Sequence, residues 1–187
     1  MIYLDKNALK AAVGCVGKKD VRLYLQYVLI DVQEKFIHIV SSDGYMLFQF
    51  RQLNSDRHQI GKFLLNPSDI KTALKTVPKQ TEIIELDTQN KILGNLKVNF
   101  ADENYPDWKR VIPNVEYSLT PKCVVNPDLA AKCAEAVSTA TKRNFVIQSH
   151  SESKVIFHTM DTNCFALLMS TEVDEQQRPF SIENYLE

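Results

Sequence analysis

The residues in this chain whose type and spacing suggest chemistry are lysines. Lys6 and Lys10 stand four apart, as do Lys71 and Lys75, so each pair shares one face if its segment is helical. Like charges at that spacing oppose a helix slightly, so their presence asks for a reason. Lys18, Lys19 and Lys79 follow the same two segments, and Lys132, Lys142 and Arg143 mark a third. Cations arrayed this way attract a phosphate backbone without reading its sequence, and salt weakens that attraction. The plainer account is that they solvate the outer side of amphipathic helices. The formal net charge is −1, so a nucleic-acid partner must be met by a local face and not by the whole molecule. Acidic residues gather elsewhere, at Asp87, Asp102, Glu103, Asp107 and 172–175, while Asp128 and Glu135 make the third segment the least basic.

Other chemistries find little support. No nucleophile elbow, phosphate-binding loop or paired metal-carboxylate motif occurs, and Gly14 and Gly17 do not make a nucleotide fingerprint. His38, His58, His150 and His158 are scattered. Cys15, Cys123, Cys133 and Cys164 form no CxxC pair and match no zinc spacing, which reads as reduced thiols in a cytoplasmic protein. We therefore expect no catalytic residue, no metal and no cofactor. No apolar run approaches the roughly 20 residues of a membrane span, and the N-terminus lacks the pattern of a signal peptide, so no membrane partner is expected.

The elements that must position the lysines repeat. Asp5, Asn66 and Asn126, about 60 residues apart, are natural N-caps, and Pro67 and Pro127 fall at the first helical position. Each helix follows a short apolar segment (2–4, 62–65, 122–125) and precedes strand-like runs: 23–32, 36–41 and 46–51; then 82–86, 91–100 and a stretch towards 112; then 145–149, 154–159 and 165–171. The pattern predicts three β-α-β-β-β units in an α+β layout, with antiparallel sheets on one side and helices on the other. A helix of a few turns cannot bury its stripe alone, so units must share a core, and the third needs a partner.

Three stretches within this frame resemble the bacterial DNA polymerase III β subunit, the sliding-clamp family. Residues 20–30 (DVRLYLQYVLI) resemble a D-V-R-Y-Y-L-N-G segment of its middle domain. Ser42-Asp43-Gly44-Tyr45-Met46-Leu47 resembles its T-D-G-H-R-L turn, and residues 104–113 (NYPDWKRVIP) resemble its F-P-D-Y-R-R-V-L-P stretch. The order and spacing are similar. The resemblance implies a DNA-clamp fold with helices on the inner face of a ring: 1–113 as a complete domain, 114–173 as half a domain (the first half of the family's last one) and 174–187 as a tail. It implies a phage or prophage protein that encircles duplex DNA, tethers a DNA polymerase and meets a clamp loader. The DNA-facing residues would be Lys6, Lys10, Lys18, Lys19, Lys71, Lys75, Lys79, Lys132, Lys142 and Arg143. Rings in this family contain twelve such units, so three per chain imply a homo-oligomer, most sharply a closed tetramer. The alternative is a clamp-derived regulatory or assembly protein that never encircles DNA.

The same resemblance implies a partner-peptide pocket lined by Leu25, Ser42, Gly44, Tyr45, Met46, Leu47 and Pro113. A glycine turn admits a peptide backbone, and leucine and methionine make an adaptable apolar wall. Tyr45 and Met46 replace the family's His-Arg. The family's last strand, which forms the opposite wall, is expected to be missing. The tail, with Gln176, Gln177 and spaced apolar residues, suits a disordered terminus or a packed last helix, or docking on its own pocket or a neighbouring subunit.

Overall fold

The computed structural model describes residues 1–55, 60–112, 119, 123–151, 153–161 and 163–170. The tail and Pro113 lie outside them, as does His58. The first unit runs β1 (Ile2–Asp5), α1 (Lys6–Gly14), β2 (Val28–Val32), β3 (Phe36–Ser42) and β4 (Met46–Leu53). The second runs β5 (Gly61–Leu65), α2 (Pro67–Thr76), β6 (Ile83–Asp87), β7 (Ile92–Leu93) and β8 (Leu96–Lys97). The third has α3 (Pro127–Thr141), β9 (Ile147–His150), β10 (Lys154–His158) and β11 (Cys164–Met169).

The helices start where the caps predict. Asp5 accepts from the Ala8 amide, Asn66 from Ser68, and Asn126 from Asp128 and Leu129, each supplying an acceptor to otherwise unpaired first-turn amides. Helix α1 lies between α2 and α3 and packs on both. Its alanines explain how: Ala8, Ala11 and Ala12 are buried along with Leu9 and Val13, and small side chains let helices approach closely on two flanks at once.

The first two units exchange their first strands. β1 leaves its own unit and pairs antiparallel with β6, while β5 pairs with β2. The sheets are therefore β1-β6-β7-β8 and β5-β2-β3-β4-β11-β10-β9. The second spans units one and three through β4 and β11, with Leu47 opposite Leu167 and Met46 opposite Leu168. Strand alternation sorts the side chains. Val28, Ile30, Ile39, Met46, Phe48, Ala166 and Leu168 join the helix-side core, to which all three helices contribute. Leu29, Val40, Leu47 and Leu167 face the other way, where Tyr105 and Trp108 cover them.

Two departures from the predicted strands have local causes. Residues 23–26 form a 3-10 turn instead of extending β2, held by the Gly17 amide on Leu25 O (2.9 Å) and the Gln26 side chain on Asp20 O (2.9 Å). Residues 91–100 do not make one strand, because the chain reverses at Gly94, whose φ of 58° is a left-handed conformation that glycine adopts without strain. Before α3, residues 123–125 belong to no strand, so the third unit lacks, among the described residues, the first strand that its repeat predicts.

Candidate nucleic-acid interface and peptide cleft

The expected basic residues divide by what holds them. Lys10, Lys71 and Lys75 are exposed on α1 and α2, with Lys18, Lys19 and Lys79 exposed just beyond the helix ends. None of these six makes an ion pair among the described residues. The other four are engaged. Lys6 Nζ donates to Pro78 O (2.8 Å). Lys132 meets Asp43 at 2.6 Å, Lys142 meets Glu82 at 2.5 Å and Arg143 meets Asp161 at 3.2 Å. Lys142 holds the Glu82 carboxyl below its usual range through its hydrogen bond and charge. Helical spacing cannot reveal these anchors, because each partner (Pro78, Asp43, Glu82 and Asp161) lies outside the helix in question.

The helix layer brings some cations together. Lys18 and Lys71 line one depression of about 240 Å³ with Val13, Val16, Tyr27 and Pro67, between the end of α1 and the start of α2. Lys10 and Lys132 line a second, of about 130 Å³, between α1 and α3. Glu135 lines it too, so the α1–α3 groove is the less positive of the two.

On the opposite side of the sheet lies an apolar cleft. Leu25, Ser42, Gly44 and Leu47 share a cavity of about 160 Å³ with Arg22, Tyr24, Tyr105, Pro106, Asp107, Trp108 and Val111. Next to it Ser42, Gly44, Tyr45, Met46, Leu47 and Val111 meet Leu167 and Met169 around about 50 Å³. Leu25 and Leu47 are buried in the walls, and Tyr45 stands on the rim, 66 % exposed. Met46 borders the smaller space, but its side chain belongs to the helix-side core, where Cys133 Sγ lies 3.9 Å from its sulfur.

The expectation of a missing opposite wall is corrected. Leu167 and Met169 of β11 supply that wall, because the third unit pairs with the first through β4 and so brings β11 alongside the turn.

The cleft is built on a turn between β3 and β4. Asp43 Oδ1 accepts from the Tyr45 and Met46 amides (3.1 and 3.0 Å), and Ser42 Oγ donates to Met46 O (2.6 Å). Gly44 adopts φ 91°, and a β-carbon there would stand 2.2 Å from Arg22 Nη2. Arg22 is fixed in turn by a two-pronged contact with Asp20, Nε and Nη2 each 2.8 Å from a carboxylate oxygen. That pairing holds the Asp20 carboxyl down to about 2.

The floor is the segment from Ala101 to Ile112, laid across the outer face of the sheet. Trp108 Nε1 donates to Asp31 (3.1 Å) and its ring lies 5.2 Å from that of His38. Tyr105 packs edge-on to Tyr24 at 5.5 Å; its buried hydroxyl has no partner among the described residues, and burial pushes its pKa up. Lys154 of the third unit closes the end by donating to Val111 O (2.6 Å). Arg22, Tyr24, Tyr105, Trp108 and Val111 were not expected as cleft residues, although they sit inside the stretches 20–30 and 104–113 that carry the resemblance. Leu167 and Met169 had no such signal.

No family model and no curated protein matches the chain. Solved structures do. The DNA polymerase sliding clamp of Bacillus subtilis superposes with a TM-score of 0.70 at 12 % identity, over 92 % of this chain and 64 % of that one. The β clamp of Helicobacter pylori bound to a DNA ligase peptide gives 0.68 at 13 %, over 91 % and 65 %. The DNA polymerase III β subunit of Thermotoga maritima gives 0.63 at 9 %, over 92 % and 65 %. The chain has the sliding-clamp fold, an α+β architecture, and spans somewhat less than two thirds of the clamps it matches.

Proposed function

We propose that this protein is a sliding-clamp-like processivity factor: a non-catalytic, cytoplasmic homo-oligomer that encircles duplex DNA and tethers a polymerase or another DNA enzyme. The observation that carries this reading is the lysine-bearing helix layer on a clamp fold, with Lys10, Lys71 and Lys75 exposed on the helices and free of ion pairs among the described residues. Mobile ammonium groups at phosphate distance give affinity without a preferred register, which is what sliding requires. The division into a complete domain (1–113), a half domain (114–173) and a tail (174–187) belongs to the same reading, as does a closed tetramer. Among the described residues no helix is long and apolar enough to cross a membrane.

The cleft between β4, β11 and the 101–112 segment is the docking site in this reading. Its walls suit apolar side chains of a short peptide, and the Arg22 guanidinium sits against the Gly44 turn at their edge. The Helicobacter pylori clamp was solved with a DNA ligase peptide, so a peptide from a polymerase, a loader or another DNA enzyme is the class of partner proposed.

The test is retention on circular and on linearised duplex at equal length. Encirclement predicts slow loss from the circle and fast loss from free ends. Equal loss from both sinks it. A second reading, a clamp-derived assembly or regulatory protein, draws on Lys6, Lys132, Lys142 and Arg143, whose charged ends are engaged by the protein itself. It predicts peptide binding at the cleft and no topological hold on DNA.

A further inference from the structure

Among the described residues the third unit has an open edge and an unpaired lead segment, and the first two units show how such a pair is satisfied. In each of those units the residue just before the helix cap pairs with a strand of the other unit: Leu4 before Asp5 lies opposite Ile84, and Leu65 before Asn66 lies opposite Val28. All four side chains belong to the helix-side core. In the third unit the corresponding residue is Val125 before Asn126. It packs on that core, as does Val146 at the entry to β9. Val124, one residue out of phase with it, points outward and is 57 % exposed. The alternation of Cys123, Val124 and Val125 repeats that of Ile2, Tyr3 and Leu4, yet no strand among the described residues receives it. At the third-unit end of the seven-stranded sheet lies β9, whose outer edge has no neighbour among the described residues.

We infer that two copies of this chain join by exchanging these segments, residues 123–125 of each copy adding antiparallel to β9 of the other. The inference rests on the oligomeric reading above and gives it a specific joint. A two-fold contact satisfies both deficits at once, because each copy offers the strand the other lacks. The register follows from units one and two: Val125 opposite Val146 keeps both side chains on the core face, which places Val124 opposite Ile147. A one-residue slip would turn Val125 out to solvent. Phe145, 53 % exposed next to the joint, is covered in the exchanged pair. Among the described helices α3 packs closely on α1 alone, so a second α3 completes the layer in the way α2 completes it for α1.

The experiment uses full-length protein in a Cys123→Ser background. One preparation carries Val124→Cys and the other Ile147→Cys. Mixed, re-equilibrated and oxidised, they are expected to give a disulfide-linked dimer containing one chain of each kind, and neither alone is expected to link. No mixed dimer, or equally strong linking within each single preparation, overturns the exchange. As a second measurement, Val124→Lys puts a charge on the joint at an exposed position that folding does not need. It is expected to halve the mass seen by light scattering with an unchanged circular dichroism spectrum. Unchanged mass overturns the proposal, and so does a wild-type chain that is monomeric at all concentrations. Failure of the ring reading shows separately: linked dimers that leave circular and linear DNA equally fast refute encirclement and keep the exchange.

Discussion

Lys132 Nζ lies 2.6 Å from Asp43 Oδ2, joining the third helix to the β3–β4 turn across 89 residues of sequence. The pair is partly shielded, with side chains 32 % and 13 % exposed. Asp43 uses its other oxygen on the Tyr45 and Met46 amides, so one carboxylate shapes the cleft rim and anchors the helix layer.

Asp43→Ala is therefore expected to cost more stability than Lys132→Ala, since only the former strips the turn of its acceptor. A double-mutant cycle by urea denaturation should give a coupling of about 1 kcal/mol for a half-shielded pair. A coupling of zero would make the contact incidental. Lys132→Ala should leave DNA affinity nearly unchanged, because that ammonium is already engaged.

Charge reversal on lysines that make no ion pair among the described residues should behave differently. Lys10→Glu, Lys71→Glu and Lys75→Glu together are expected to weaken duplex binding strongly at low salt. The slope of log affinity against log salt should become shallower by roughly 2 to 3 if all three meet phosphates. Arg143→Glu, whose partner is Asp161, should do much less. Equal effects would mean that the helix layer is not the DNA face.

Two glycines should respond in opposite directions to alanine. Gly44 combines φ 91° with a 2.2 Å clash against Arg22, so Gly44→Ala is expected to destabilise by about 1–3 kcal/mol and to displace the guanidinium from the cleft. Gly14, at the end of α1, has open space around it: a β-carbon added there meets nothing within 4 Å. Gly14→Ala should therefore stabilise by about 0.4–1 kcal/mol, through the unfolded chain's reduced freedom. Urea midpoints check both.

Acidification should loosen the cleft floor. Desolvation lowers the His38 pKa from its ordinary 6.5, with Lys109 and Arg51 adding repulsion and Asp31 opposing. The unfolded chain then binds a proton more readily than the folded one. The contribution is present above pH 6.5 and is lost as pH falls through the lower folded value. Trp108 is the chain's single tryptophan and touches His38, so its fluorescence reports the change directly. His38→Gln should flatten the stability profile below pH 6.5; an unchanged slope would assign it to another group.

What the sequence made legible was local. Asn-Pro at 66–67 and at 126–127 fixes two helix starts, because a cap and a ring-locked φ act on neighbouring residues. The cleft turn was legible for the same reason, through Ser42, Asp43 and Gly44. What stayed hidden depends on distant pairing. Nothing near Leu167 says that it lies opposite Leu47, and nothing near Lys132 names Asp43. Leu23 and Tyr24 have strand-forming character, yet the Asp20 and Gly17 contacts bend that segment into a 3-10 turn.

The ladder between β4 and β11 also decides how the molecule carries load. Its backbone hydrogen bonds continue past the strand ends, to Met169 on Tyr45 and Arg51 on Asn163. Tension along these strands shears many bonds simultaneously, so the seam between the first and third units resists as one piece. Force applied in opposite directions along β4 and β11 would meet a stiff segment there, and the give would come first outside the ladder.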